Sequence, residues 1–491
     1  MKVLMLGWEF PPHISGGLGT ACEGLTLGLA KHGVQVTFVV PKRWGDEDAG
    51  HMHLVGCEDV AIETPQTDGS EKGAATVSSA MSESVAGSVA EAEVEAAPRL
   101  LTLAQESSVS VLWVDSALTP YTDEAAYERS FAADGGPGRL ADGARAPHRA
   151  VAAAALQVAA DFPSLPELRE EALRRTHRFT PRFSGHYGPD LMSEVARYAL
   201  AVGELARKLE IDVVHAHDWM TYPAGLLAAR LLGKPLVTHM HATEFDRSGE
   251  HPNPRVAAIE REGMHAARLV VPVSHYTASV VRKRYGVDAG KIRVIHNAVT
   301  HREQARNWRV ERGIPEPIVL FLGRVTFQKG PDYFLEAAAR VVAVEKKVKF
   351  VVAGSGDMLP AMIERSAELG LARHMHFTGF LRGKQVERIF AHADLYVMPS
   401  VSEPFGITPL EAMALDTPAI VSRQSGVSEV LAHALKVDFW NVEELADKIL
   451  AVLRLPALRE ALAENGKAEV RNLHWDKVGE RMLSVYREAA A

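Results

Sequence analysis

Two hydrophobic patterns alternate along this chain. Short apolar runs without polar alternation occur at KVLML (2–6), QVTFVVP (35–41), DVVHAH (212–217), PLVTHM (235–240), RLVVPVS (268–274) and IRVIHN (292–297). A second set follows at IVLFLG (318–323), VKFVVAG (348–354), MHFTGF (375–380), DLYVMPS (394–400) and PAIVS (418–422). Such runs suit strands covered on both faces, as in a parallel sheet. Helical patterns lie between them. TACEGLTLGLAKHG (20–33) carries Lys31 and His32 in its last turn and stops at Gly33. Further helices are predicted near 189–209, over 441–453 and over HWDKVGERMLSVYREA (474–489). The alternation predicts an α/β fold of doubly wound parallel sheets. A chain of 491 residues exceeds one core, so two domains are expected.

Composition changes this picture in one region. Residues 57–110 hold ten acids and two bases, a net charge of −8 that equals the charge of the whole chain. Rich in Ala, Ser, Glu and Gly and poor in aromatics, this stretch is predicted to be a disordered acidic insertion. Residues 111–185 contain short structured pieces and an Ala/Arg-rich stretch that the pattern does not place. The remainder is near neutral, so no basic face for nucleic acid is expected. Cys22 and Cys57 are the only cysteines, which gives no disulfide framework and predicts a reducing, cytoplasmic setting. The first apolar run is cut by Glu9 and two prolines and reads as a strand rather than a signal peptide. No run approaches the roughly 18 apolar residues of a membrane span. No transmembrane segment is therefore expected, and peripheral membrane contact is left open. The polar, Arg-rich stretch 300–316 is the expected domain boundary.

Site-like residues follow the predicted strands at their carboxyl ends, where open α/β sheets bind ligands. Ser402-Glu403-Pro404-Phe405-Gly406-Ile407-Thr408-Pro409-Leu410-Glu411 is the most informative stretch, with two carboxylates around a Pro-x-Gly turn that opens a helix. Arg324 and Lys329 end another strand, and Gly354-Ser355-Gly356-Asp357 and Thr378-Gly379-Phe380 end two more. In the first half the same holds for Ser15-Gly16-Gly17-Leu18-Gly19, His215-Ala216-His217-Asp218-Trp219 and His239-Met240-His241-Ala242-Thr243-Glu244. Two such sheets facing each other would enclose one cleft.

A planar Arg fork with a point-charge Lys suits a diphosphate, and the pair can stabilise charge growing on a departing nucleotide diphosphate. Glu411 has an equally weighted structural reading. Thr408-Pro409-Leu410-Glu411 matches a capping box with Pro at the first helical position. Glu403 has no capping role and is the stronger functional candidate. Gly406 would let a ligand reach the amides of the following helix. Asp218 and Trp219 offer an acid for sugar hydroxyls and a ring for stacking, or equally a Trp that fills the core. The paired histidines could chelate a metal, since residues i and i+2 of a strand share a face. The two cysteines lie far from them in sequence, and core or polar-site histidines are favoured, with no metal site expected. No G-x-G-x-x-G dinucleotide fingerprint follows the first strand, and no P-loop occurs.

In this order, GRVTFQKG (323–330), GSGD (354–357) and SEPFGITPLEAMA (402–414) resemble the donor-binding half of the retaining family 4 glycosyltransferases of the GT-B fold. EFPPHISGGLG (9–19), VVHAHDW (213–219) and VTHMHATEFDR (237–247) resemble the other half, especially its glycogen and starch synthase-like members. The resemblance covers roughly 1–42 and 187–490. It implies two Rossmann-like doubly wound domains facing across a cleft. Residues 1–300 would form the acceptor side, 316–470 the nucleotide-sugar domain, and 471–491 a helix crossing back to the first domain. By the same resemblance Arg324 and Lys329 hold the diphosphate, Glu411 the ribose, and Glu403 the donor sugar hydroxyls. Gly406, Ile407 and Thr408 lie at phosphate, and Gly354, Gly356 and Phe380 line the donor site. His241 stands close to the transferred sugar, Asp218 is an acid of the cleft, and the Gly16-Gly17 loop closes over the donor. Enzymes of this kind generally need no divalent metal. One departure is that the K-x-G-G-L of bacterial ADP-glucose glycogen synthases is here His13-Ile14-Ser15-Gly16-Gly17-Leu18, without Lys.

The expected function is retaining transfer of a hexosyl unit, glucosyl in the favoured case. The donor would be an ADP-, UDP- or GDP-linked sugar, with no other cofactor, and the acceptor an α-glucan or a small sugar. Synthesis of a disaccharide, glycolipid or surface polysaccharide is the nearest alternative. A non-catalytic nucleotide-sugar-binding regulator is the alternative of another class.

Overall fold

The computed structural model describes residues 1–13, 17–57, 149–174, 183, 188–300 and 312–491. The expectations for 58–110, for 111–148 and for the boundary stretch 301–311 fall outside these residues.

Two six-stranded sheets organise the chain, and every strand pair is parallel. The first contains β1 (Lys2–Leu6), β2 (Gln35–Val40), β3 (His53–Gly56), β4 (Val213–His217), β5 (Leu236–Met240) and β6 (Leu269–Pro272), in the order β3-β2-β1-β4-β5-β6. The second contains β7 (Ile318–Leu322), β8 (Lys349–Ala353), β9 (Met375–Gly379), β10 (Leu395–Met398), β11 (Ala419–Ser422) and β12 (Leu435–Val437), in the order β12-β11-β10-β7-β8-β9. Each is a doubly wound sheet with one point where the strand order reverses, between β1 and β4 and between β7 and β10. β4, β5 and β6 are buried along their whole length, as unalternated apolar runs require.

Three departures from the pattern have plain causes. IRVIHN (292–297) is not a strand. It makes a single bridge, Val270 to Ile292, and one further bond from Ile295 N to Pro272 O at 3.1 Å. Ile295 dips into the core while Arg293 turns out to Glu488 (Nε to Oε2, 2.9 Å), so the edge of β6 gains no ladder. β3 and β12, both sheet-edge strands, are too short and too mixed in polarity to stand out as apolar runs. The Ala/Arg-rich stretch contains helices Arg149–Asp161 and Pro166–Arg174, whose Val151, Ala155, Val158 and Leu168, with Phe162 between them, enter the first domain's core.

The C-terminal helix Trp475–Ala490 lies on the first helix, Gly17–Lys31, and buries Met482 and Tyr486 completely. Each such side chain contributes roughly 1.5–3 kcal/mol of hydrophobic stabilisation. The close crossing depends on glycine. A Cβ on Gly28 would stand 2.1 Å from Trp475 O, and one on Gly479 2.4 Å from Gly28 C. The chain thus passes through the second sheet and ends on the first.

Candidate active site

Where the strand order reverses, adjacent connections leave to opposite faces of the sheet and a crevice opens between them. The loops after β1, β4, β7 and β10 meet there and line one cavity of ≈ 410 Å³. Arg324 and Lys329 reach it from β7, Gly354 and Gly356 from β8, and Phe380 from β9. Glu403, Gly406, Ile407, Thr408 and Glu411 reach it from beyond β10. Across the cavity stand Gly17 after β1, Asp218 after β4 and His241 after β5. Gly16 lies outside the described residues. Residues more than 380 positions apart in sequence therefore share one wall-to-wall site.

At the second sheet's reversal point, Lys329 Nζ donates to Glu403 Oε2 at 2.5 Å, and Ser400 Oγ donates to the same oxygen at 3.1 Å. Glu403 is only 6% exposed, so this partly desolvated pair is stiff. Its main chain is tied on both sides, through Glu403 N to Gln424 O at 3.0 Å and Gly426 N to Glu403 O at 2.9 Å. Arg324 Nη2 donates to Gln328 Oε1 at 3.3 Å within its own loop. Gly354 and Gly356 allow the β8 loop to lie on that loop. A Cβ on either would stand 1.8 Å from Gly323 O or 2.3 Å from Val325 O. Gly17 differs, because a Cβ there would meet nothing within 4 Å and packing does not demand glycine.

The capping-box reading of Glu411 is corrected by the structure. Helix Thr408–Ala414 has Ile407 at its N-cap, with no side-chain cap. Thr408 is the first helical residue, and its Oγ1 is bonded to Tyr396 Oη at 2.8 Å rather than to a backbone amide. Trp219 is 1% exposed and packed into the first domain's core, so its ring edges the cavity without offering a stacking face.

The first domain contributes a strained turn. Asp218 has φ 58°, which is unusual for a residue with a side chain. Its Oδ1 accepts from His241 N at 2.7 Å and its own N donates to His239 O at 2.9 Å, so it locks the ends of β4 and β5 together. Burial pushes its carboxyl up to about 7, against the opposing pull of the His241 amide and Arg247. His241 Nε2 pairs with His217 Nδ1 at 2.8 Å, and burial pushes its ring down to about 3. It is therefore neutral at pH 7.

Several residues that sequence reasoning passed over complete the site. Asp246 accepts from Thr243 N at 2.7 Å and, across the cleft, from Ser402 Oγ at 2.5 Å. Arg247 lines the cavity and is held by Ala242 O at 2.9 Å and Glu260 Oε1 at 2.7 Å. Both lie inside the HATEFDR motif, which was the available signal. The distance argument against metal also fails in part. Cys22, remote in sequence, sits within ligand range of His217 and His241.

Comparison with known proteins agrees with this fold. Residues 304–469 match the profile of glycosyl transferases group 1, residues 148–303 that of glycosyltransferase family 4, and residues 2–94 that of the starch synthase catalytic domain. An uncharacterized glycosyltransferase of Methanocaldococcus jannaschii is 31% identical over 310 residues, which cover 58% of this chain and 79% of that protein. A D-inositol 3-phosphate glycosyltransferase of Nocardioides sp. is 30% identical over 310 residues, 57% of this chain and 68% of that one. The solved structure of a sucrose-phosphate synthase from Thermosynechococcus elongatus superposes with a TM-score of 0.64 over 99% of this chain and 98% of that one, at 16% identity.

Proposed function

This chain belongs to the GT-B-fold glycosyltransferases, and we propose that it moves a hexosyl unit with retention from a nucleotide-diphosphate sugar to an α-glucan or a small sugar acceptor. Glucose is the favoured sugar. The observation that carries the proposal is the Lys329–Glu403 pair at one reversal point, with Arg324 beside it and the Asp218–His241 turn facing it.

Lys329 has three N–H donors and gives one to Glu403, which leaves two for diphosphate oxygens. Arg324 adds a planar fork to the same charge. The bonds from Lys329 and Ser400 both fall on Glu403 Oε2, and Oε1 is proposed to accept from a hydroxyl of the donor sugar. As the bond from the anomeric carbon to the diphosphate breaks, negative charge grows on the leaving oxygen beside the two cations. The acceptor hydroxyl then attacks from the same face and passes its proton to that oxygen, which retains the anomeric configuration. Neutral His241 lies against the sugar as a hydrogen-bonding wall. Glu411 is proposed to hold the ribose, and the Gly406-Ile407 amides to meet phosphate.

Diphosphate charge is met here by side chains, so added Mg²⁺ or Mn²⁺ is expected to leave turnover unchanged. The decisive experiment incubates the enzyme with ADP-, UDP- and GDP-linked sugars, with and without glycogen, and reads nucleotide release and product anomer. Release with one donor, stimulated by acceptor and giving the α-product, is the expected result. No release with any donor would leave a nucleotide-sugar-binding protein rather than a transferase.

A further inference from the structure

Beneath the cleft floor the first domain holds a cluster of histidines that the proposed transfer does not use. β4 carries His215 and His217 on one face, and β5 carries His239 in register with His217 on the same face. The three rings lie with centroids 4.2–5.3 Å apart, and the residues are 0%, 0% and 2% exposed. His215 Nδ1 pairs with Tyr486 Oη at 2.6 Å and His217 Nδ1 with His241 Nε2 at 2.8 Å. The other nitrogens, His215 Nε2, His217 Nε2 and both of His239, have no partner.

Four unpartnered nitrogens in one buried cluster are costly, because each buried polar atom left unsatisfied forfeits the hydrogen bond that it makes in water. Core histidines that merely fill space normally satisfy at least one nitrogen each, and His239 satisfies none. One ligand nitrogen from each of the three lies within 4.8 Å of the others. A tetrahedral zinc site with bonds near 2.0–2.1 Å needs separations of about 3.4 Å, so the three rings would turn toward one another on binding. Burial and the neighbouring imidazoles hold all three rings well below the usual histidine range, and the neutral ring is the form that ligates.

We propose that His215, His217 and His239 bind one borderline divalent transition-metal ion, zinc being the first candidate, at a structural centre under the cleft. Imidazole donors suit such ions, whereas Mg²⁺ or Ca²⁺ would want oxygen. Through Tyr486 the centre is tied to the C-terminal helix, and through His217 to His241 at the cavity wall. The ion would therefore pin β4, β5 and the returning helix together, apart from the diphosphate and without a place in the transfer step.

The test uses the full chain, expressed with zinc available and dialysed extensively. Elemental analysis is expected to find about one zinc per chain, and X-ray absorption a shell containing three imidazole nitrogens. His239→Leu is expected to lose the ion and to melt lower than wild type. Wild-type protein without stoichiometric metal, or with zinc bound by oxygen only, overturns the site without reference to any variant. A His239→Leu protein that melts at or above the wild-type temperature also overturns it, since an apolar side chain would then be the better core residue. His275, His296 and Glu429 form a separate, more exposed cluster with ligand spacing. Loss of the zinc in His275→Ala would assign it to that cluster and refute the proposal.

Discussion

Glu403 and Glu411 are eight positions apart in one loop–helix segment, yet the structure gives them different work. Glu403 is buried and bonded to Lys329 and Ser400, while Glu411 sits in a helix whose first turn is organised by Thr408 and Tyr396. Lys329→Ala removes a cation from the site in which the leaving diphosphate is to be stabilised, and Glu403→Ala removes the carboxylate that positions Lys329 and is proposed to accept from the donor sugar. Glu403→Ala and Lys329→Ala are each expected to lower turnover by roughly 10²-fold or more while circular dichroism stays native. Near-wild-type transfer by both variants would remove the pair from the mechanism. That Glu403, Arg324 and Lys329 would come to one site was legible in the sequence, because charged residues directly after buried strands have few other reasons to be there, and all three line the cavity. The bond between Lys329 and Glu403 was not legible, since it spans 74 positions and depends on β7 and β10 being neighbours. The capping box misled for a related reason. Thr408 fits the cap pattern locally, but a tertiary partner, Tyr396, takes its hydroxyl first.

Among elements, the central strands and the edge strands β6 and β9 were readable, and the edge strands β3 and β12 were not. β4, β5 and β10 are covered on both faces, so their apolar runs are unbroken. β3 and β12 have one neighbour each, and their mixed burial hides them in the sequence. Glycine-rich loops were read as places for a ligand to approach. The structure adds a packing reason at Gly356, where a Cβ would stand 2.3 Å from the carbonyl of Val325. Val325 follows Arg324, so pushing the loops apart would also move the guanidinium. Gly356→Ala is expected to destabilise by about 1–3 kcal/mol, the usual range for overpacking. It should also raise the donor KM more than it changes kcat, as measured by denaturant unfolding and steady-state kinetics. An unchanged KM together with lost stability would confine the glycine to packing.

At the scale of the whole molecule, the two sheets are held together by polar bonds around the cleft as well as by the returning helix. Ser274 Oγ donates to Pro404 O at 2.5 Å, and Ser402 Oγ to Asp246 at 2.5 Å. Glu429, from the second domain, accepts from the amides of His275 (2.9 Å) and Tyr276 (2.6 Å), which begin the helix His275–Tyr285 of the first. His296 adds a third bond to the same carboxylate at 2.8 Å. A carboxylate at a helix N-terminus is favourable both as acceptor and as charge. Burial alone would raise the Glu429 carboxyl, but the bonds from His296 and the two amides outweigh it and hold the group below its ordinary value of 4.5. The sign follows from that direction. The folded state binds its proton less readily than the unfolded chain, so the contribution of Glu429 is complete above the ordinary value and disappears as pH falls through the lower folded one. Glu429→Gln keeps the shape and removes the charge. The melting-temperature gap between wild type and Glu429→Gln is therefore expected to be constant from about pH 6 to 8 and to shrink below about pH 4.5. A gap of the same size at about pH 4 and pH 7 would mean that the clasp works through neutral hydrogen bonds alone.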